Sequence, residues 1–180
     1  MSEVHRKNRI VPNSSRFRLT LTDETPAIIA RHAFTQKQRL LAGIRHNRLL
    51  DRFFNSIATS VHQNLRCPVR RHGQIEVDEI YVGVNNTGKQ FVIPVQAKGG
   101  SDQINTTQVS QDLALCRAKF PLLTARPVAV QFVRDETGET IVMFELIENE
   151  GELLVADEKH YRLVSSAEIG NDDLDQYSRT

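Results

Sequence analysis

The spacing of apolar residues changes along this chain of 180 residues, and each change marks an expected element. Up to about Pro26 the chain is polar, basic and turn-rich. Pro12-Asn13-Ser14-Ser15 there precedes a short alternating run, Phe17-Arg18-Leu19-Thr20-Leu21, which predicts an arm carrying one edge strand. Thr35 then stands as an N-cap with Gln38 three residues on. Apolar residues follow at helical spacing: Leu40, Leu41, Ile44, Leu49, Leu50, Phe53, Phe54, Ile57 and Val61. One long amphipathic helix is predicted, bent near Gly43, with Lys37, Arg39, Arg45, Arg48 and Arg52 on its other face.

After Asn64 the period falls to two. Strands are predicted over Leu65–Arg71, Gln74–Val84 and Gln90–Lys98, with turns at His72-Gly73 and Asn85-Asn86-Thr87-Gly88, and Gly99-Gly100 closes the third. A second helix runs from about Ile104 to Lys119, with Val109, Leu113, Cys116 and Phe120 on one face. Strands near Arg126–Arg134 and Thr140–Ile147 are split by Asp135-Glu136-Thr137-Gly138, and a last ordered piece covers Leu153–Leu163. From Gly170 the tail is acidic and aperiodic, which predicts mobility. The order is α-β-β-β-α-β-β in a single α/β domain. Residues 1–34 are expected to be a basic arm, 35–168 the domain, and 169–180 the acidic tail.

No apolar run approaches the roughly 20 residues of a membrane span, and the N-terminus has no apolar core of a secretory signal, so a cytoplasmic protein without a membrane partner is expected. Cys67 and Cys116 fit neither a zinc pattern nor a disulfide framework and are expected as buried thiols. The net charge of +1 conceals a split: residues 1–72 hold fourteen Lys/Arg against four Asp/Glu, and residues 73–180 hold nine against eighteen. The basic half faces a polyanion such as DNA, or the two halves pair with each other, or these are solvated faces.

Alternation on Gln74–Val84 sets Glu76 and Asp78 on one face, and Gln96 and Lys98 likewise share a face of the next strand. If those faces coincide, carboxylates, an amide and an ammonium meet at one place. Unless a metal ion or mutual pairing compensates, such a cluster is costly to bury. Hydrolysis of a phosphodiester calls for a hard cation to bind a phosphoryl oxygen and activate water, with a positive group near the developing charge. Asp78 can supply an anionic ligand, the Gln96 side-chain oxygen a neutral one and the Ala97 carbonyl a third. Lys98 can orient the water, and Glu76 can add a further ligand. The six histidines are scattered without ligand spacing, and Asp157 and Glu158 flank a terminal strand, so none is assigned to metal.

Glu76-x-Asp78 on one strand, then Val95-Gln96-Ala97-Lys98-Gly99-Gly100 closing the next, then a glutamine-containing helix, resembles the PD-(D/E)XK nuclease superfamily. The likeness is greatest to the glutamine (QxK) branch, as in Mrr-type restriction endonucleases, and covers about Arg48 to Val133. It implies a restriction endonuclease-like core, a central mixed β-sheet flanked by helices in α-β-β-β-α-β order. It also implies a Mg²⁺-dependent endodeoxyribonuclease (Mn²⁺ being a possible substitute), with DNA as substrate and a homodimer to cut two strands. By that resemblance the acidic metal ligand falls on Asp78, the (D/E)xK pair on Gln96 and Lys98, a supporting carboxylate on Asp51, and the polar residues of the following helix on Gln108 or Gln111. Arg39, Arg45, Arg48 and Arg52 would contact DNA. No proline precedes Asp78, and Gln96 lacks the negative charge most members carry. A nuclease-fold protein that binds nucleic acid or a protein partner without cutting therefore remains the alternative.

Overall fold

The computed structural model describes residues 9–100 and 102–179; the first eight residues of the expected arm, Ser101 and Thr180 lie outside them. The protein is α/β, with a mixed central sheet flanked by helices. Three strands, β3 (Ile57–Val69), β4 (Gly73–Val84) and β5 (Gln90–Lys98), form an antiparallel meander. Helix α4 (Thr106–Lys119) then crosses over to β8 (Val128–Asp135), which runs parallel to β5. A second meander adds β9 (Gly138–Asn149) and β10 (Glu152–Val164), and β2 (Arg18–Thr22) lies parallel to β10 at the edge. Two-residue strands β1 (Arg9–Ile10) and β6 (Ile104–Asn105) pair with each other, and β7 (Thr124–Ala125) pairs with β5.

Residues 91–97 of β5 are buried without a break, as expected of a strand covered on both faces. On one face, Leu40, Leu41 and Ile44 of α2 (Gln36–His46) and Leu49, Leu50 and Phe53 of α3 (Leu49–Phe54) pack on Ile93, Val95, Ala97, Val130 and Met143. On the other face, Leu115 and Cys116 of α4 pack on Val77, Ile80 and Val92, while Val109 joins Ala129, Val142 and Phe144. Cys67 and Cys116 are buried free thiols in the α4-side core. A short helix α1 (Ala27–Arg31) buries none of its residues. Among the described residues, no helix is long and apolar enough to cross a membrane.

Two features differ from the sequence expectation. Instead of one long helix there are two, because Arg48 adopts a left-handed conformation (φ 50°) and Asn55 caps α3 in the same region (φ 48°). The chain then turns into β3, so Ile57 and Val61, whose spacing continues the helical period, stand on an exposed edge strand. Asn47 secures the break: its side-chain amide donates to the Gly43 carbonyl and its side-chain oxygen accepts from Glu24 N–H. In the tail, Asn171–Tyr177 forms α5, and the Tyr177 hydroxyl donates to the Thr20 carbonyl on β2.

Candidate active site at the splayed end of β4 and β5

Strands β4 and β5 are in register from Val84/Gln90 to Glu79/Val95, where the pairing stops. Beyond that point β5 continues to pair with β8 only, Gln96 opposite Ala129, Ala97 opposite Val130 and Lys98 opposite Gln131. The open edge is met by a side chain: Asp78 Oδ2 accepts from the Ala97 backbone N–H at 2.9 Å. On the other side of β4, β3 is irregular over the same stretch. An extra residue is accommodated between Ser60 and His62, and Asn64, close by, has a positive φ of 50°.

The alternation of β4 is itself broken around Asp78. Ile75, Val77 and Ile80 all lie in the α4-side core, which strict period-two spacing forbids for Val77 and Ile80. Glu76 consequently does not join Asp78: it is exposed and pairs with Arg66 of β3 at 3.0 Å. Its expected role as a further ligand is corrected to that of a surface ion pair.

Asp78 is 2% exposed, and its other oxygen, Oδ1, receives the ammonium of Lys37 from the first turn of α2. The approach is made possible by Gly99. A Cβ there would lie 2.9 Å from the Lys37 backbone nitrogen and 3.0 Å from Gln36 Cβ, so only glycine lets the strand end sit against the helix start. Gln96, 5% exposed, leaves its Oε1 buried without a hydrogen-bond partner. Since Val92 belongs to the α4-side core, alternation puts Gln96 and Lys98 on that face too. Lys98 is half-buried and forms no ion pair with a described residue. The expected triad of Asp78, Gln96 and Lys98 is thus gathered at one strand end.

Sequence reasoning did not single out Asp112. It lies on α4, 2% exposed, where burial and then the charge of Asp78 push its carboxyl up to about 8, with Lys98 opposing. The signal was available. An acid at position i+3 of the stripe Val109, Leu113, Cys116 stands where an apolar residue belongs. Gln108 is half-buried one turn earlier on the same face, and Gln111, also half-buried, is its neighbour in sequence.

This acid makes a testable contribution to stability. An unfolded aspartate titrates near 3.8, so from there to about 8 the folded state retains a proton the unfolded state has lost. Stability should therefore fall as pH rises through that window, by about 1 kcal/mol per pH unit, and the cost should vanish below it. In metal-free buffer, Asp112→Asn is expected to raise the melting temperature at pH 8 and leave it nearly unchanged at pH 4. An equal gain at both pH values would show that the carboxyl carries no such cost.

The remaining expected site residues lie elsewhere. Asp51 closes the α3–β3 junction, its Oδ1 accepting from Ala58 N–H at 3.0 Å and its Oδ2 from Arg48 Nε at 2.7 Å. Ala58 pairs with Gly83, five residues along β4 from Asp78, so Asp51 cannot support the site. Arg39 pairs with Glu139 and stacks on the Phe132 ring, Arg45 is committed to Glu79, and Arg48 to Asp51. Only Arg52 of the four has no ion pair among the described residues. The pairs of Arg39 and Arg45, with Arg18–Asp135 and Arg66–Glu76, join basic residues of the first half to acids of the second, whereas Arg48 meets an acid of its own half.

As a cation site the cluster is oxygen-only: carboxylates from Asp78 and Asp112, the unpartnered Gln96 Oε1, and the backbone of Ala97. Among the described residues no group of three or more His, Cys, Asp or Glu is placed to hold a metal. The fit to a hard cation therefore rests on the mixed carboxylate and amide set, and the orphaned Gln96 oxygen is the atom a cation would satisfy. Comparison with models of known protein families, with curated proteins and with solved structures finds no match for this chain.

Proposed function

We propose that the protein is a Mg²⁺-dependent endodeoxyribonuclease with a restriction endonuclease-like core, acting on DNA in the cytoplasm, with Asp78, Gln96 and Lys98 as its working residues. The observation that carries this reading is the buried, unpartnered Gln96 Oε1 at the strand end where Asp78 and Lys98 also lie. The order α3, three antiparallel strands, α4 and a strand parallel to the third also supports it.

Mg²⁺ held there would supply Lewis acidity toward a phosphoryl oxygen and toward the attacking water. Asp78 and the Gln96 oxygen would hold the ion, with the Ala97 carbonyl as a further oxygen. Lys98, without an acidic partner, is available to orient the water and to offset charge growing on the phosphate. Lys37 must release Asp78 for this to happen and is then a second cation for the phosphate. Exposed Arg70 and Arg71, at the tip of the β3–β4 hairpin, are suited to the DNA backbone and replace the helix arginines in that role. A homodimer would bring two such sites to the two strands.

Incubation with supercoiled plasmid tests the proposal. Nicking or linearisation is expected with Mg²⁺ or Mn²⁺, none with EDTA, and none by Asp78→Ala. Metal-dependent cutting that persists in both Asp78→Ala and Lys98→Ala would sink the assignment. A second reading, a protein that binds nucleic acid without cutting, is favoured by one observation: Lys37 already compensates Asp78 without a metal. It predicts salt-dependent DNA binding with intact plasmid in either ion.

A further inference from the structure

We infer that Asp112 of α4 and Gln131 of β8 belong to the cation site, Asp112 as its second anionic oxygen donor and Gln131 as a second neutral one. This deepens the proposed phosphodiesterase site and rests on that reading for its purpose, though its test does not.

Gln131 stands opposite Lys98 in the β5–β8 pairing. It alternates with Ala129, which packs beside Val109 of α4, so its side chain is on the α4 face with Gln96 and Lys98. Its Oε1, like that of Gln96, is buried with no hydrogen-bond partner. Two amide oxygens from adjacent strands are thus left unsatisfied on one face. A hard cation satisfies both oxygens together.

Asp112 covers this face from above. It is 2% exposed, makes no hydrogen bond or ion pair with a described residue, and the charged groups acting on it are Asp78 and Lys98. A carboxyl group buried beside a second one costs desolvation that an apolar side chain would not. In that position an apolar side chain would continue the stripe of Val109, Leu113 and Cys116. A divalent ion held by a single carboxylate retains a full unit of uncompensated charge, and the second carboxylate removes it. Lys37, now on Asp78, marks where positive charge is already accepted.

The test is Mn²⁺ binding to the full chain, followed by the loss of the free-ion paramagnetic resonance signal and, independently, by the rise in melting temperature with Mn²⁺. Wild type is expected to bind, Asp112→Asn to bind about 10- to 100-fold more weakly, and Gln131→Leu to be weakened in the same direction. The melting temperature without metal shows that each variant is folded, and Asp112→Glu should restore part of the affinity. Equal Mn²⁺ affinity in wild type and folded Asp112→Asn overturns the inference, as does a wild type that binds no Mn²⁺. Binding that depends on Asp112 without plasmid cleavage upholds the inference and removes the nuclease reading. Metal-dependent cleavage with Asp112-independent binding does the reverse.

Discussion

Plasmid cleavage by Lys98→Met is expected to fall about 100- to 1,000-fold, the scale observed when one group that stabilises transition-state charge is removed from an enzyme site. The substitution keeps the aliphatic stem that packs at the end of β5 and removes only the ammonium. Because Lys98 forms no ion pair with a described residue, its loss breaks no salt bridge and should leave thermal stability close to wild type. Mn²⁺ affinity should stay equal or rise, since a neighbouring positive charge has gone. That combination separates a positioning and charge-stabilising role from ligation. A Lys98→Met protein that cuts at the wild-type rate would remove Lys98 from the chemistry, and one that loses Mn²⁺ binding would make it structural.

Arg45→Met should destabilise the fold by about 3–5 kcal/mol, the cost of leaving one partner of a buried ion pair alone. Glu79 is fully buried and lies under α2, where Arg45 Nε and Nη2 each donate to it at 2.9 Å and Ser60 Oγ donates as well. Beside it, burial and the Glu79 charge raise the Tyr81 hydroxyl well above its ordinary value. Without Arg45 the carboxylate is stranded among Ser60, Tyr81 and apolar side chains. The double variant Arg45→Met/Glu79→Gln, which removes the stranded charge, should therefore recover much of the loss. Denaturant unfolding of the four proteins measures this as a cycle. A contact to DNA would predict the opposite: unchanged stability with weakened, less salt-sensitive binding.

The candidate site was legible in the sequence to different degrees, residue by residue. Gln96 and Lys98 could be placed on one face because β5 is a regular strand whose alternation holds to its end. Glu76 could not, because the alternation of β4 breaks between Val77 and Ile80, and no residue of β4 announces that break. Asp112 was legible in principle as an acid within an apolar stripe, but its meaning depends on what the helix packs against. In the sequence Lys37 is one of five basic residues on the far face of the amphipathic helix. It reaches Asp78 only because Gly99 lets the start of α2 lie against the end of β5.

By itself the sequence determined the α/β class, the order of strands and helices after Asn64, and the buried central strand, because burial periodicity and turn chemistry are local properties. Only the tertiary structure decided where the first long helical pattern ends, since a residue in a left-handed conformation leaves the apolar spacing unchanged. It also decided the fate of the basic half. A list of charges cannot tell a surface awaiting a polyanion from one whose partners are supplied by the other half of the chain, and Arg39 and Arg45 meet Glu139 and Glu79 of that half within the fold. Convergence of Asp78, Asp112, Gln96 and Gln131 was decided in the same way. It follows from the splay of β4 from β5 and from the crossing of α4 over the sheet, contacts between residues far apart in the chain that no local pattern encodes.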